Sequence, residues 1–138
     1  MSDVIAGNRG ASAEALERLR KAYASLPSAY FDFLAKANGA EGELGVEPGW
    51  FVVWPAEEAL TANIEYEVPR YLPGYFSFGG NGGGELFVVP LTSSNTRQPI
   101  YMVPAIGMSD RYLSEIAPSF TEFAANCGKV LRELRDDG

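Results

Sequence analysis

The 138-residue chain contains no histidine. That absence excludes Ser-His-Asp and Cys-His nucleophilic sites, histidine-ligated zinc and histidine general bases. Cysteine is nearly absent: Cys127 stands alone, so no internal disulfide can form and a reducing compartment is expected. Basic residues are scarce, with 11 Lys+Arg against 18 Asp+Glu and a net charge of −7. A balance of that sign argues against nucleic acid and anionic membrane surfaces as partners, since both depend on basic patches. Long hydrophobic runs are missing as well. Trp50–Ala56 and Leu86–Leu91 are the longest, far too short to span a bilayer. Met1–Gly10 has no apolar run of the kind a secretory leader needs. The expectation is one cytoplasmic domain over 1–138, with 1–11 a loose N-terminal segment. Its apolar content of 46% is enough for a single core.

The deficit of positive charge is local. Between Lys36 and Arg70 lie 33 residues without a Lys or Arg, holding Glu41, Glu43, Glu47, Glu57, Glu58, Glu65 and Glu67. Outside that stretch acids and bases cancel, 11 against 11. Trp50, Trp54 and Tyr66 are interleaved with the glutamates. Such a stretch is either a solvated face or a binding face for a basic partner, in which aromatics anchor and charge steers.

Periodicity gives a coarse map. Ser12 caps a helix to about Ala24, with Leu16, Leu19 and Tyr23 on one face. Pro27–Asn38 reads as a second helix on Tyr30, Phe33, Leu34 and Ala37, stopped by Asn38-Gly39. Residues 40–49 read as a loop and Trp50–Trp54 as a strand. Pro55 opens a third helix with Ala56, Leu60 and Ile64 as its buried stripe. Pro69 and Pro73 bracket an extended, tyrosine-rich stretch. Tyr75–Phe78 and Glu85–Val89 form a hairpin around a Gly79–Gly84 turn. Thr92–Gln98 is a polar loop, Ile100–Val103 a strand, and Tyr112–Ile116 a short strand. Ser119 and Glu122 form a capping box for a last helix with Phe120, Phe123, Ala124, Cys127, Leu131 and Leu134 on one face. The fold class is α+β: a mainly antiparallel or mixed sheet flanked by about four helices.

The chemical motifs fail one by one. The glycine cluster lacks the Lys-Ser/Thr ending of a phosphate loop, since Glu85 and Leu86 follow Gly84. It lacks the third glycine of a dinucleotide fingerprint, and Glu85 occupies that place. Gly107-Met-Ser109-Asp-Arg111 imitates a nucleophile elbow without its final glycine. Cys127 sits on an apolar helix face with no base beside it. No cofactor, metal ligand set or catalytic residue is expected.

Three segments carry a resemblance. Leu26-Pro27-Ser28-Ala29-Tyr30 through Phe33-Leu34, followed by Asn38-Gly39, resembles the opening motif of the SUKH superfamily, named for cell-wall-assembly regulators of the Smi/Knr type. Phe78-Gly79-Gly80-Asn81-Gly82-Gly83-Gly84-Glu85 is similar to that family's glycine hairpin. Ile116-Ala117 with Ser119-Phe120 and Phe123 is similar to its closing helix start, with Ala124 where leucine is commoner. The three come in the expected order over about 12–134.

The resemblance implies an α+β domain that binds other proteins. Bacterial members resemble immunity proteins, which bind and neutralise polymorphic toxins, often nucleases; others are regulatory or scaffold modules. It implies a structural role for Leu26, Pro27, Tyr30, Asn38, Gly39, Gly79, Gly80, Gly83, Gly84, Glu85 and Phe120, with the Glu85 carboxylate taking N–H groups of the turn. The partner-facing residues are then sought in the acidic stretch: Glu41, Glu43, Glu47, Trp50, Glu57, Glu58, Glu65 and Glu67. The expected partner is a basic toxin domain. The alternatives are a regulatory module with another protein partner and a carboxylate-based hydrolase. The absent histidine and the failed motifs weigh against the hydrolase.

Overall fold

A computed structural model describes residues 9–92 and 97–130. Its first helix starts where a hydroxyl satisfies a free backbone donor: Ser12 Oγ accepts from the Ala15 N–H at 3.1 Å. This helix, α1 (Ala13–Ala22), buries Ala15 and Leu19. Pro27 caps α2 (Ser28–Lys36), which buries Tyr30, Phe31 and Leu34. Residues 9–11 are tied to α2: the Ala11 N–H donates to Leu34 O at 2.7 Å and Arg9 O accepts from the Asn38 N–H at 2.9 Å.

Six strands follow: β1 (Ala40–Glu43), β2 (Trp50–Val53), β3 (Tyr75–Gly80), β4 (Glu85–Pro90), β5 (Ile100–Pro104) and β6 (Ser114–Ala117). They pair in sequence order, antiparallel throughout. Between β2 and β3 lie α3 (Ala56–Glu65) and α4 (Val68–Tyr71). A 3₁₀ turn (Asp110–Tyr112) precedes β6, and α5 (Phe120–Asn126) closes the described fold. The class is α+β, as expected. Among the described residues no helix is long and apolar enough to cross a membrane.

Four elements differ from the sequence reading. Residues 40–43 form strand β1 rather than loop, held by full register against β2 from Ala40↔Val53 to Glu43↔Trp50. Pairing supplies what the Gly/Glu-rich sequence lacks in strand propensity. The stretch after Pro69 is helical, because Pro69 sits in the first turn of α4, where a missing N–H costs nothing. The buried stripe of α3 is Ala56, Ala59, Ala62 and Asn63, while Ile64 is 74% exposed. Finally, α2 ends at Lys36, with Ala37 as its C-cap, rather than running to Asn38. In the last helix Cys127 is the C-cap, and Leu131 and Leu134 lie outside the described residues, as does most of the 92–98 loop.

The sheet separates two apolar clusters by strand alternation. On one face α1, α2 and α5 cover an aromatic core: Tyr30, Phe51, Phe76, Phe78, Phe87, Phe120 and Phe123 are all essentially inaccessible. Phe78 meets Phe120 and Phe123 edge-on at 5.1 and 5.3 Å. Burial of each such ring contributes about 1.5–3 kcal/mol. On the other face Val68 and Leu72 of α4, with Met108, cover Leu86, Val88 and Val103. That cover extends over β3–β5 but stops short of β1 and β2.

Gly79 and Gly80 are strand residues rather than turn residues. A Cβ at Gly79 would stand 1.8 Å from Val52 O, and one at Gly80 would stand 2.3 Å from Glu85 O. Only glycine permits that approach of three backbones. The β3–β4 register slips between Ser77 and Gly79, and Ser77 Oγ donates to Phe87 O at 2.9 Å and Gly79 O at 3.2 Å.

The β2–β3 ladder covers only Val52↔Gly80 and Val53↔Gly79. Trp54 N–H extends it by donating to Phe78 O at 3.0 Å. Beyond that point the edge of β3 is completed by a side chain. Asn63 Oδ1 accepts from the Ser77 N–H at 2.9 Å, and Asn63 Nδ2 donates to Ser77 O at 2.8 Å and to Ala59 O at 2.8 Å. Both residues are buried. The amide presents a donor and an acceptor to β3 as a strand residue would.

Asn63→Ala leaves the buried Ser77 N–H and C=O unpaired and is expected to lower stability by about 3 kcal/mol. Urea unfolding followed by circular dichroism measures it. Tyr30 gives the opposite expectation. Its hydroxyl is buried with no hydrogen-bond partner among the described residues, and burial raises its pKa. Tyr30→Phe should therefore hold or raise stability, by up to about 1 kcal/mol, in the same unfolding assay.

Candidate functional site

The site begins at the end of β2. Trp54 leaves the strand and Pro55 starts α3, which returns with Glu58, Thr61, Ala62 and Glu65 on one face, the i, i+3, i+4, i+7 spacing. Tyr66 follows at the C-cap. Trp54 and Tyr66 thus lie one helix length apart in sequence and side by side in space. Their ring planes are nearly parallel, 9° apart, with centroids 6.2 Å apart.

Four adjoining depressions are each lined by one or both of these rings. The first, about 430 Å³, is lined by Trp54, Glu57, Glu58, Thr61, Ala62, Glu65 and Tyr66. A second, about 260 Å³, runs from Trp54 and Glu58 to Glu41 and Val52 on the uncovered sheet face. A third, about 210 Å³, lies between both rings and the hairpin tip, at Gly80, Gly82, Gly84 and Glu85. The fourth, about 500 Å³, passes Tyr66 to Glu65, Glu67, Tyr71 and Gly107. No Lys or Arg lines any of them. The groove exists because α4 and the 105–113 segment cover only part of the outer sheet face.

The structure therefore gathers Glu41, Glu57, Glu58, Glu65 and Glu67 around one aromatic pair. Trp50, 37% exposed, stands beside Gly82 and Val52 on the same sheet face, at the margin. Glu43 lies on the same face of β1 as Glu41, two residues on, and is half-buried. Glu47 sits in the turn between β1 and β2 and lines none of the four depressions. The sequence reading named Trp54 and Tyr66 only as neighbours of the acids. The spacing between them, one helix length, is visible in the sequence; the meeting of their rings is not.

The acids are not equivalent. Glu67 is paired with Arg70 at 3.0 Å, an exposed contact of small value. Its backbone is left-handed (φ 57°), which turns α3 sharply into α4 and brings Tyr66 and Tyr71 to one depression. Glu57 accepts from Asn38 Nδ2 at 3.0 Å, and that bond, with a smaller pull from Arg18, holds its carboxyl below the usual glutamate range. Glu41, Glu58 and Glu65 have no ion pair or hydrogen bond among the described residues.

A model of the SMI1 / KNR4 family (SUKH-1) matches residues 10–126. The chain belongs to this family. No curated protein sequence matches it. The match spans every element from the segment before α1 to the end of α5, so the groove lies wholly within the SUKH-1 domain.

Two SUKH-like motif residues take partners other than those expected. Asn38 does not stop α2. Its Oδ1 accepts from the Ala56 N–H at 2.7 Å and so caps α3, eighteen residues on. In the glycine hairpin the turn N–H groups go to Asn81, not to Glu85. Asn81 Oδ1 accepts from the N–H groups of Gly83 (2.8 Å) and Glu85 (3.1 Å), and the Glu85 carboxylate accepts from Asn81 Nδ2 at 2.9 Å. The shorter asparagine side chain reaches back over its own turn, as such residues favour.

The charged side chains that line the groove are all carboxylates. Cys127 is remote from it, and burial pushes its thiol up to about 12, well away from a reactive thiolate. Among the described residues no cluster of three His, Cys, Asp or Glu is placed to hold a metal ion.

Asn38→Ala should cost about 1 kcal/mol through the lost cap. It should also raise the Glu57 pKa. Because the folded pKa is depressed, the Asn38–Glu57 bond stabilises above the unfolded pKa and is lost as pH falls through the folded one. An NMR titration of the Glu57 side chain in both proteins measures the shift.

Proposed function

We propose that this SUKH-1 domain is a non-catalytic protein-binding module, an immunity protein that docks on the basic, nucleic-acid-binding surface of a toxin and occludes it. Family membership is consistent with an immunity-protein-like role. The observation that carries the reading is the meeting of Glu41, Glu58 and Glu65 with the Trp54–Tyr66 pair in one groove free of cations. Exposed aromatics of this kind supply anchors, and unpaired like charges around them supply a steering field. Tyr66 and Tyr71 are 43% and 46% exposed, and Ile106 at 93% extends the apolar surface beyond Ala105. The missing histidine and the inert Cys127 support a binding rather than a chemical role.

The test is association with the toxin encoded beside the gene. Reversal of Glu41, Glu58 and Glu65 to lysine should slow association by about 10-fold or more at low salt and flatten its salt dependence. Glu47→Lys, outside the groove, should change it far less. Stopped-flow association and toxin neutralisation read the outcome. Unchanged rates and intact neutralisation in the triple variant would falsify the electrostatic docking. Loss of toxin binding alongside capture of a different regulatory partner would favour the scaffold reading.

A further inference from the structure

Resting on the docking reading above, we propose that the first depression of the groove is a receptor for an arginine side chain of the partner. The walls suit that group better than any other. Trp54 and Tyr66 present a paired aromatic surface, and a guanidinium is planar, always charged, weakly hydrated and able to lie flat on such a surface. Glu58 and Glu65 flank it from one face of α3, two helical turns apart, so about 10 Å separates their backbones. Neither carboxylate is engaged within the described fold. Each can accept the paired N–H groups of a guanidinium. The depression, about 430 Å³, is open to solvent and has room for a guanidinium and its stem. A lysine would bring the same charge but a strongly hydrated point ammonium, with no planar face to set against the rings.

Arginine-rich surfaces are what a protein uses to hold phosphates. Occupation of this depression by such a residue would withdraw it from a nucleic acid. The selectivity for arginine is a property of this chain alone and is read without any toxin.

The experiment uses the full chain carrying Trp50→Phe, so that Trp54 is the single tryptophan reporter. Acetylated, amidated tri-arginine and tri-lysine peptides are titrated at low salt while Trp54 fluorescence is followed. Tri-arginine should give saturable quenching with an affinity about 10-fold above tri-lysine, about 1.4 kcal/mol. The paired change Glu58→Gln with Glu65→Gln should remove about that factor for tri-arginine. The same loss of charge at Glu14→Gln with Glu122→Gln, on α1 and α5, should have little effect. Tyr66→Leu should equalise the two peptides, because it removes the ring and leaves both carboxylates. Circular dichroism confirms that each variant is folded. Equal affinity for the two peptides in the parent protein overturns the proposal, as does an equal loss in the Glu14/Glu122 control. Those results leave the docking reading standing, since that reading is judged by toxin association; conversely, arginine selectivity with undiminished toxin binding by the Glu41/Glu58/Glu65 variant would overturn the docking reading alone.

Discussion

A single side-chain amide holds this architecture to its shape. Strands β2 and β3 share only a two-residue ladder, and then β2 departs into α3. The edge of β3 would face the interior with an unmatched N–H and C=O at Ser77, a costly state for buried backbone. Asn63 returns from α3 to meet both. The bond fixes more than an edge. It sets the height and rotation of α3 against the sheet, and so decides which residues of that helix face out. Asn63, Ala59 and Ala56 point inward; at 100° per residue, Glu58, Thr61 and Glu65 must then point away. The groove is the consequence of a strand pair that opens and a helix that closes the opening.

Charge acts at a second level. The acidic stretch is continuous in sequence, yet its glutamates have distinct surroundings. Glu57 is occupied by Asn38, Glu67 by Arg70, and Glu47 lies in the hairpin turn. Glu41, Glu58 and Glu65 are left to act on solvent and on whatever approaches. Removal of every Lys and Arg between 37 and 69 matters because α3, β1 and β2 are all made from that stretch and all border the groove. One interval of sequence becomes one field because the chain folds back on itself there.

Much of this was legible beforehand. Ser12 and Ser119 announce helix starts through local chemistry, and both hydroxyls accept the helix N–H as expected, without, among the described residues, the return bond from Glu122 that a full capping box would add. The hairpin of β3 and β4 is written in its glycines. Three of the differences share a cause. Strand β1 carries Glu and Gly and becomes a strand only because Val53 to Trp50 lie opposite. The phase of α3 was misjudged because hydrophobicity marks Leu60 and Ile64, whereas the buried face is set by small alanines and by an asparagine whose partners are fourteen residues away. Asn38 looked like a stop for its own helix and instead caps another. These three concern residues whose partners are remote in sequence, which no local pattern encodes; the helix at Pro69 and the Asn81 acceptor in the glycine turn are local. The acidic stretch was recognisable as a unit, but its division into occupied and unoccupied carboxylates depends on tertiary contacts.

The residues that make the chain recognisable and the residues that line the groove touch at two places, at Gly39 before β1 and at the tip of the hairpin. Gly80, Gly82, Gly84 and Glu85 border the third depression, and Asn81 holds their turn rigid from within. Elsewhere the two sets are divided across a single helix. The inward face of α3 carries Asn63, on which the sheet edge depends. The outward face carries Glu58, Thr61 and Glu65, on which no described hydrogen bond across the fold depends. Substitutions on the outward face are therefore free to change what the groove accepts without disturbing what holds it open. A protein that must match one particular partner is well served by that division, because specificity can then be altered through side chains alone while the backbone that presents them stays where Asn63 and Ser77 put it.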